Sequence, residues 1–524
     1  MSTQSQRGRI HWFVWVVILI AFLAIASAVV FVVATLGLCE PSWADCKRTL
    51  EARGARLDAK AFIPPPVPDD QNFAMTPFLK PLFDFKPGTH TPRDTNAVER
   101  IKNFANVVPP CDWSTSWSTA NRLDLVAYAQ SLQASAIGKK PDVKQRPRTA
   151  RELAAAAPQM LAALKPFDPV IEELRAASRR PFARFPLWYD DPCLIQERFP
   201  HLQTLKHACQ VLMLRASAKL AAGQAEQALG DLELLFRLLD TIKDEPCLLS
   251  QLVRTGCFMM ALQVVWEGLA EHGFSENQLR ALQSRLSAYD FLGHFRWALE
   301  AERACLGNGT FEFLRRQPNE LEALFSLASV PSPAPAGTNR IVNAVLHRWL
   351  QCDQNIYNRE FEERIFPALN VTVRRVYPKL ADESSEAVDA ERCEHGVLTL
   401  FWRHRVVTNL ALPDCALFVR SFAHAQTSAD KAAIACALER WRLAEGTYPE
   451  TLDALVPRFI GKLPHDIITG QRLKYRRTDG GVFVLYSVGW NEVDDGGKRP
   501  VSADGLATPA VAEGDWVWRY PAAQ

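Results

Sequence analysis

Acidic side chains crowd one loop near the end of this 524-residue chain, and their types suit them to hold a cation. Residues 487–497 read SVGWNEVDDGG, and Asp504, Glu513 and Asp515 follow. Calcium takes about six to eight oxygen ligands, which carboxylates, an amide and loop carbonyls can supply. Charged loops that contain glycine are also common as solvated turns. The sequence leaves both interpretations open.

The motifs that would indicate an enzyme are missing from the sequence. It contains no His-Glu-x-x-His, no Gly-x-Ser-x-Gly and no phosphate-binding loop. Cys393-Glu394-His395 places a thiol near an imidazole, but a nucleophile and its base must meet in space, and such pairs are common by chance. Asp190-Asp191 follows Trp188-Tyr189, which would suit a carbohydrate cleft, although a loop that packs its aromatic rings into the body is simpler. We therefore expect no catalytic residues; an envelope hydrolase or carbohydrate-active enzyme is the alternative.

The twelve cysteines include no Cys-x-x-Cys pair, which argues against a zinc site. Cys209, Cys257 and Cys436 lie within apolar helical stretches, where cysteine usually serves as a small core residue. Cys111 and Cys193 each adjoin a loop proline and are the first candidates for a disulfide if the body lies outside the cytoplasm.

The residues before the acidic loop predict a helix packed on a small sheet. A helix is predicted over Asp430–Gly446 because Ile434, Leu438 and Trp441 recur at spacings of three and four. Gly446 suits a left-handed C-cap. Three strands are predicted at Leu473–Arg477, Val482–Val488 and Trp516–Tyr520. A helix laid on this sheet would hide the apolar faces of both.

This tail, over roughly residues 429–520, resembles the globular C-terminal domain of the major pseudopilin of type II secretion. That family combines a helix, a "YR…GxYP" signal, a small antiparallel sheet and an acidic loop, and Gly446-Thr447-Tyr448-Pro449 matches the signal here. The whole chain also resembles a family of bacterial membrane-anchored proteins with a helical, tetratricopeptide-like body and no assigned reaction. The resemblance implies a piece for assembly or docking and not a catalyst.

In the major pseudopilins the acidic loop binds calcium. Position by position, Asn491 falls where the family has an aspartate after its Leu-Gly pair, and Asp515 falls near the family's aspartate before a tryptophan. The resemblance therefore implies a calcium site with the candidate ligands Asn491, Asp494, Asp495 and Asp515. The chain departs from the family in carrying an asparagine in place of one aspartate, and its loop is longer.

Residues Trp12–Leu38 contain no charged side chain over 27 positions. At about 1.5 Å per residue, such a helix exceeds the roughly 30 Å hydrocarbon core of a bilayer. Ala26-Ser27-Ala28 resembles a cleavage site, but the apolar run continues past it, which favours an uncleaved single-pass anchor. More lysines and arginines follow the span than precede it, yet this count is unreliable for a long domain. The pseudopilin resemblance implies that the bulk of the chain lies on the periplasmic side, although the N-terminus lacks the family's leader and glycine-phenylalanine start.

The middle of the chain predicts helical hairpins. Gly223 separates two apolar-periodic runs, and Ala228 lies where two helices must approach closely. Ser275 and Gln278 form a capping-box pattern at the start of another helix. The predicted core of residues 202–305 includes Leu212, Leu220, Ala228, Leu232, Leu235 and Leu262.

Together these patterns predict a mainly α protein in five parts. These are a cytoplasmic N-terminus (1–11), a transmembrane helix (12–38), a juxtamembrane and proline-rich spacer (39–120), a helical-hairpin body (121–428) and a small pseudopilin-like α+β domain (429–524). The net charge of +2 gives no global attraction to nucleic acid. We expect a membrane-anchored structural or interaction protein of the bacterial envelope, serving a secretion or pilus-like system. Its expected partners are the membrane and a protein, without a small-molecule substrate, and calcium is its one expected cofactor.

Overall fold

The computed structural model describes residues 41–86, 91–107, 117–136, 146–187, 199–317, 340–394, 403–498 and 511–520, with a few isolated positions besides. Only Phe22, Ser27 and Val30 of the predicted anchor are described, each as helix. The prediction of a single-pass anchor otherwise lies outside the described residues.

The described chain is mainly helical. Its first helices are Trp43–Ala52 (α1), Thr95–Val107 (α2), Leu125–Ala136 (α3), Ala150–Leu164 (α4), Asp168–Ala177 (α5), Pro200–Ala221 (α6), Ala225–Asp240 (α7) and Leu248–Ala270 (α8). There follow Glu276–Ser287 (α9), Phe291–Ala301 (α10), Asn308–Arg316 (α11), Arg340–Glu360 (α12), Pro378–Glu394 (α13), Val406–Ala411 (α14) and Cys415–Glu445 (α15). Two π-helical turns, Glu302–Gly307 and Phe361–Ile365, extend α10 and α12.

The predicted hairpin is present as α6 and α7. Gly223 ends α6 with a φ of +74°, a left-handed conformation that glycine adopts without a steric penalty. Ala228 is fully buried where α7 packs on α6. Of the predicted core residues, Leu220 is only partly buried, whereas the other five, Leu212, Ala228, Leu232, Leu235 and Leu262, are fully buried.

The segment after α1 enters the core as well. Phe73, Phe78 and Leu79 are fully buried, and the Phe73 N–H donates to the carbonyl of Phe182 at 2.8 Å. Much of the stretch predicted as a spacer (39–120) therefore packs against the helices that follow it.

The C-terminal helix is longer than the sequence predicts. Helix α15 begins at Cys415 rather than Asp430, where the Asp414 side chain accepts a hydrogen bond from the N–H of Leu417. It ends at Gly446 with a φ of +80°, as the C-cap prediction requires. The predicted boundary at 428/429 thus falls inside one continuous helix.

Two small antiparallel sheets complete the fold. Strands β1 (Leu369–Asn370) and β2 (Arg375–Val376) form a two-stranded ladder before α13. The C-terminal sheet has the order β3-β4-β5, with β3 at Lys474–Arg477, β4 at Phe483–Ser487 and β5 at Trp516–Arg519. The predicted small antiparallel sheet near the C-terminus is therefore confirmed.

The body and the tail share one hydrophobic core. Helix α15 packs on α8, α9 and α13, and it contacts β4 and β5 on the sheet. Phe483, Leu485 and Trp518 are fully buried in the same cluster as Trp266 of α8. The Trp266 indole N–H donates to the carbonyl of Arg519 at 3.1 Å. The sheet is therefore mounted directly on the helical body.

Two helical stretches among the described residues are long and apolar enough to cross a membrane, Leu248–Ala270 and Val406–Glu445. Most of each apolar window, 72% and 61% respectively, is buried inside the molecule. A core helix of a globular protein meets the same criteria, so these stretches are weak evidence for membrane association.

Candidate functional site

The turn between α15 and the sheet is held by a buried carboxylate. Glu439, which is 2% exposed, accepts hydrogen bonds from the Tyr448 hydroxyl at 2.6 Å and the Arg442 Nε at 2.7 Å. The His272 Nδ1 lies 2.7 Å from the same carboxylate. Tyr475 of β3 donates its hydroxyl to the carbonyl of Pro449 at 2.7 Å. The Gly-Thr-Tyr-Pro signal thus fixes the path of the chain from helix to sheet.

The acidic loop is tied together by Asp515. This carboxylate is 3% exposed and accepts the N–H groups of Gly497 at 2.6 Å and Asp495 at 3.3 Å. Burial raises the pKa of Asp515, while these two N–H groups favour its charged form. A Cβ atom at Gly489, whose φ is +75°, would clash with the carbonyl oxygen of Gly514, so the loop requires glycine there.

Asp494 faces the sheet. It accepts the N–H of Gly496 at 3.0 Å and the Tyr486 hydroxyl at 3.1 Å, and the Lys474 Nζ lies 3.3 Å away. The Gly496 N–H contributes most to lowering the pKa of Asp494, and Tyr486 and Lys474 add to it. Lys474 therefore neutralises one of the charges that the sequence placed in this loop.

The structure brings the four predicted calcium ligands into one loop. Asn491 donates to Asp495 at 3.4 Å, and its own side-chain oxygen accepts the N–H of Val493 at 3.3 Å. The oxygens of Asp494 and Asp515 also accept hydrogen bonds, so a bound ion would have to exchange them. Within the ranges described, no three His, Cys, Asp or Glu side chains are grouped so that they could hold a metal ion. Calcium binding by Asn491, Asp494, Asp495 and Asp515 stays a prediction.

Two aspartates that the sequence did not single out anchor this loop. Asp466 is buried and accepts the Ser487 hydroxyl at 2.9 Å and the N–H of Val488 at 3.3 Å. The Trp490 indole N–H lies 3.0 and 3.1 Å from the two oxygens of Asp382 on α13. No local pattern reveals these roles, because each partner lies 21 or more residues away in the chain.

A cleft of about 470 Å³ lies beside the start of β3. Its apolar lining includes Leu452, Val456, Leu463 and Leu473, and its polar lining includes Glu450, Asp453, Lys462, His465 and Arg472. Arg472 forms an ion pair with Asp453, and Arg477 of β3 forms one with Glu450. The His465 Nε2 lies 3.0 Å from the carbonyl of Arg374, so the one imidazole in the cleft lining already has a hydrogen-bond partner. The lining of the cleft thus combines apolar side chains with paired charges, and among these described residues no nucleophile is paired with a base.

Of the residues that the sequence suggests for catalysis, only Tyr189 has a described side chain. The side chains of Cys393 and His395, and residues 190–191, lie outside the described residues. Tyr189 is described: it is buried, and the Arg184 guanidinium lies 4.5 Å from its ring centre.

A His-Glu-Ser cluster elsewhere has the wrong order for nucleophilic catalysis. The Ser250 hydroxyl donates to Glu245, and the His201 Nε2 lies 2.7 Å from Glu245. In a nucleophile–base pair the hydroxyl bonds to the imidazole. All three side chains are buried in the interior of the body.

The described cysteines are mostly small core residues. Cys209, Cys257 and Cys436 are fully buried free thiols, as the sequence predicts. Cys352 on α12 forms a disulfide with a cysteine whose side chain lies outside the described part of the chain. The predicted disulfide candidates Cys111 and Cys193 also lie outside it.

Comparisons with protein-family models, curated proteins and solved structures find no significant match for this chain.

Proposed function

We propose that this protein is a membrane-anchored structural or interaction protein of the bacterial envelope, and that its pseudopilin-like sheet docks a protein partner. The observation that carries the proposal is how the sheet is attached to the helical body. Helix α15 begins in the body at Cys415 and ends in the tail, and the sheet packs on it within one core. A force that acts on the tail would therefore be transmitted directly to the body, because no flexible linker separates the two.

Three further contacts also support this role. Trp266 holds β5, Asp382 holds Trp490 in the loop, and His272 holds the Glu439 carboxylate. A binding surface that is already fixed loses less conformational entropy when a partner binds. The loop nevertheless leaves an apolar side chain free for contact, because Val493 is 54% exposed.

The disulfide of Cys352 supports a location outside the cytoplasm. Disulfides persist in oxidising compartments such as the periplasm and are rare in the cytosol. With the predicted anchor at residues 12–38, this favours an N-terminus inside and the body on the periplasmic side.

Site-specific photo-cross-linking in intact cells tests the docking role. We expect p-benzoylphenylalanine at Val493 or Val456 in the tail to give a discrete cross-linked product. The same probe at Phe182 or Leu249, which are each 46% exposed on the body, should give none. Absence of a product from both tail positions, or equal products from the body positions, would refute the docking role.

Protease treatment of spheroplasts tests the compartment separately. Added protease should degrade the body while a cytoplasmic marker protein stays intact. A chain that is cut only after the cells are lysed would place the body in the cytoplasm and overturn the proposed orientation.

A further inference from the structure

Among the described strands, β3 is an edge of the C-terminal sheet, and just before it Arg472 already pairs with His465 in an isolated antiparallel bridge. Of the strands described, β3 pairs only with β4, through the register from Lys474–Tyr486 to Arg477–Phe483. The opposite edge, β5, faces the body, where the carbonyl of Arg519 accepts the Trp266 indole N–H. An edge strand presents backbone N–H and C=O groups that another strand can use. β3 is therefore where a strand can be added.

Leu473 and Tyr475, at the start of β3, line the cleft of about 470 Å³. Its apolar lining also includes Leu452, Leu463 and Val456, and Val456 is 38% exposed. Successive side chains of an added strand point to opposite faces. An apolar side chain on one face of that strand can thus enter the cleft while its neighbours face solvent.

The charge of the edge indicates what kind of strand it accepts. β3 reads Lys-Tyr-Arg-Arg; Lys474 is 48% exposed and pairs with Asp494 of the acidic loop, Arg472 just before it is 76% exposed, and Arg476 is exposed too. Like charges opposite each other across a ladder are destabilising, which disfavours a second copy of β3. The pairs Arg472–Asp453 and Arg477–Glu450 lie at the surface, where an ion pair contributes little to stability, so an incoming carboxylate can replace either acid.

We propose that the edge of β3 and the adjacent cleft bind an extended acidic peptide segment of a partner protein as an added strand. The peptide would alternate carboxylates, which meet the cations of β3, with apolar side chains, which enter the cleft. This inference rests on the docking function proposed above and names the chemistry of its partner.

Fluorescence anisotropy with the full chain in detergent micelles tests it. The probe is a labelled peptide of about eight residues that alternates glutamate with valine, and the matched control alternates lysine with valine. We expect only the acidic peptide to bind, with an affinity about tenfold weaker at high salt because exposed charges are screened. Failure of the acidic peptide to bind, or equal binding of both peptides, would overturn the proposal.

A second probe separates strand addition from simple charge attraction. A glutamate–valine peptide that is N-methylated at every backbone amide keeps its charge but cannot donate hydrogen bonds to β3. Its affinity should be at least about tenfold lower, because it loses its hydrogen bonds to the backbone of β3. Equal affinity of the methylated peptide would rule out an added strand.

Charge reversal identifies the surface. The variant Arg472→Glu/Arg476→Glu should lose the acidic peptide and gain the lysine–valine peptide, a gain that misfolding cannot produce. Arg237→Glu on α7 is the matched control, because Arg237 is 49% exposed and also pairs with a glutamate. Unchanged binding of the acidic peptide by the double variant would place the site elsewhere.

Two further outcomes keep the proposals distinguishable. Binding to phosphatidylglycerol vesicles without binding to the peptide would assign these cations to a membrane surface and overturn the inference. If cross-links form at Val456 or Val493 but the peptides fail, docking stands and uses another surface; if both experiments fail, both proposals are wrong.

Discussion

Asp353 is a carboxyl group buried completely between α12 and α14. It accepts the N–H groups of Val407 at 2.8 Å and Thr408 at 3.0 Å, and so caps the start of α14. Burial raises the pKa of Asp353 to about 7, although these hydrogen bonds favour the charged form. The folded protein therefore binds this proton more tightly than the unfolded chain does.

The first prediction concerns the pH dependence that follows. Because the pKa of Asp353 is raised in the folded protein, the contribution of Asp353 to stability is greatest below about pH 4. That contribution is lost as the pH rises towards about 7, and over this range the free energy of unfolding decreases by up to about 1.4 kcal/mol per pH unit. Asp353→Asn cannot titrate. The Tm of the wild type minus that of Asp353→Asn should therefore decrease in thermal melts from pH 5 to pH 8. The exposed Asp479→Asn should show a constant difference, and a constant difference for Asp353→Asn would contradict the prediction.

The second prediction concerns the hydroxyl of Tyr448. Tyr448→Phe removes a hydrogen bond to the buried Glu439 carboxylate and should cost about 1.5–3 kcal/mol, the usual value for a bond to a charged group. Tyr357→Phe is the control, because the fully buried Tyr357 hydroxyl has no hydrogen-bond partner among the described residues. Urea unfolding of both variants measures the costs. A loss for Tyr357→Phe as large as that for Tyr448→Phe would show that the hydrogen bond is not the cause.

For individual residues, the sequence predicts contacts between neighbours in the chain and not contacts between residues that are far apart in it. Gly446 as a C-cap follows from the residues around it. The contact of Glu439 with His272 spans 167 positions in the chain, and that of Trp490 with Asp382 spans 108. Only the packed fold brings such pairs together, so the hydrogen bonds that hold the acidic loop could not be predicted.

Among the elements, the α6–α7 hairpin carries the third prediction. Ala228→Asp would bury an unpaired carboxylate where α7 meets α6, at a cost of several kcal/mol. The neighbouring Gln227→Asp adds the same charge at an exposed position and should change the Tm little. Thermal melting by far-ultraviolet circular dichroism distinguishes them. Equal melting temperatures would mean that position 228 is not buried.

The acidic loop carries the fourth prediction. If calcium binds only the folded loop, it stabilises the full chain by about 2.7 kcal/mol at one hundred times the dissociation constant. Melts in millimolar calcium and in chelator should then differ, and Asp494→Ala should abolish the difference while Asp479→Asn preserves it. Identical melting curves for the wild type in calcium and in chelator would show that the loop binds no calcium and is held by its hydrogen bonds.

Periodicity explains which elements the sequence predicts well. The second half of α15 has an apolar stripe, but residues 422–440 are buried almost all round the helix, including Gln426, Thr427 and Ser428. The buried polar residues Gln426, Thr427 and Ser428 interrupt the apolar pattern of the helix, so the half before Asp430 was missed. The ladder of β1 and β2 was missed because each strand has only two residues, too few for an alternating pattern.

For the whole molecule, the shared core matters more than the boundary predicted at 428/429. Composition and local pattern separate a helical body from a mixed tail. The structure joins them through α15, whose buried residues Ile434 and Leu438 belong to the same cluster as Phe258 and Trp266 of α8. A local pattern cannot reveal this, because it records which faces are apolar and not which elements cover them.

The fifth prediction follows from this shared core. A domain that folds alone needs its own hydrophobic core, and a fragment of residues 429–524 would lack the first half of α15 and the covering surfaces of α8 and α9. Differential scanning calorimetry of the full chain should therefore show the body and the tail unfolding in one transition, and the fragment should show none. A fragment of residues 41–524, which lacks the predicted anchor, is the control and should keep that transition, because the core lies within it. Two separate transitions in the full chain, or a fragment 429–524 that unfolds cooperatively near the same temperature, would mean that the tail is an independent domain after all.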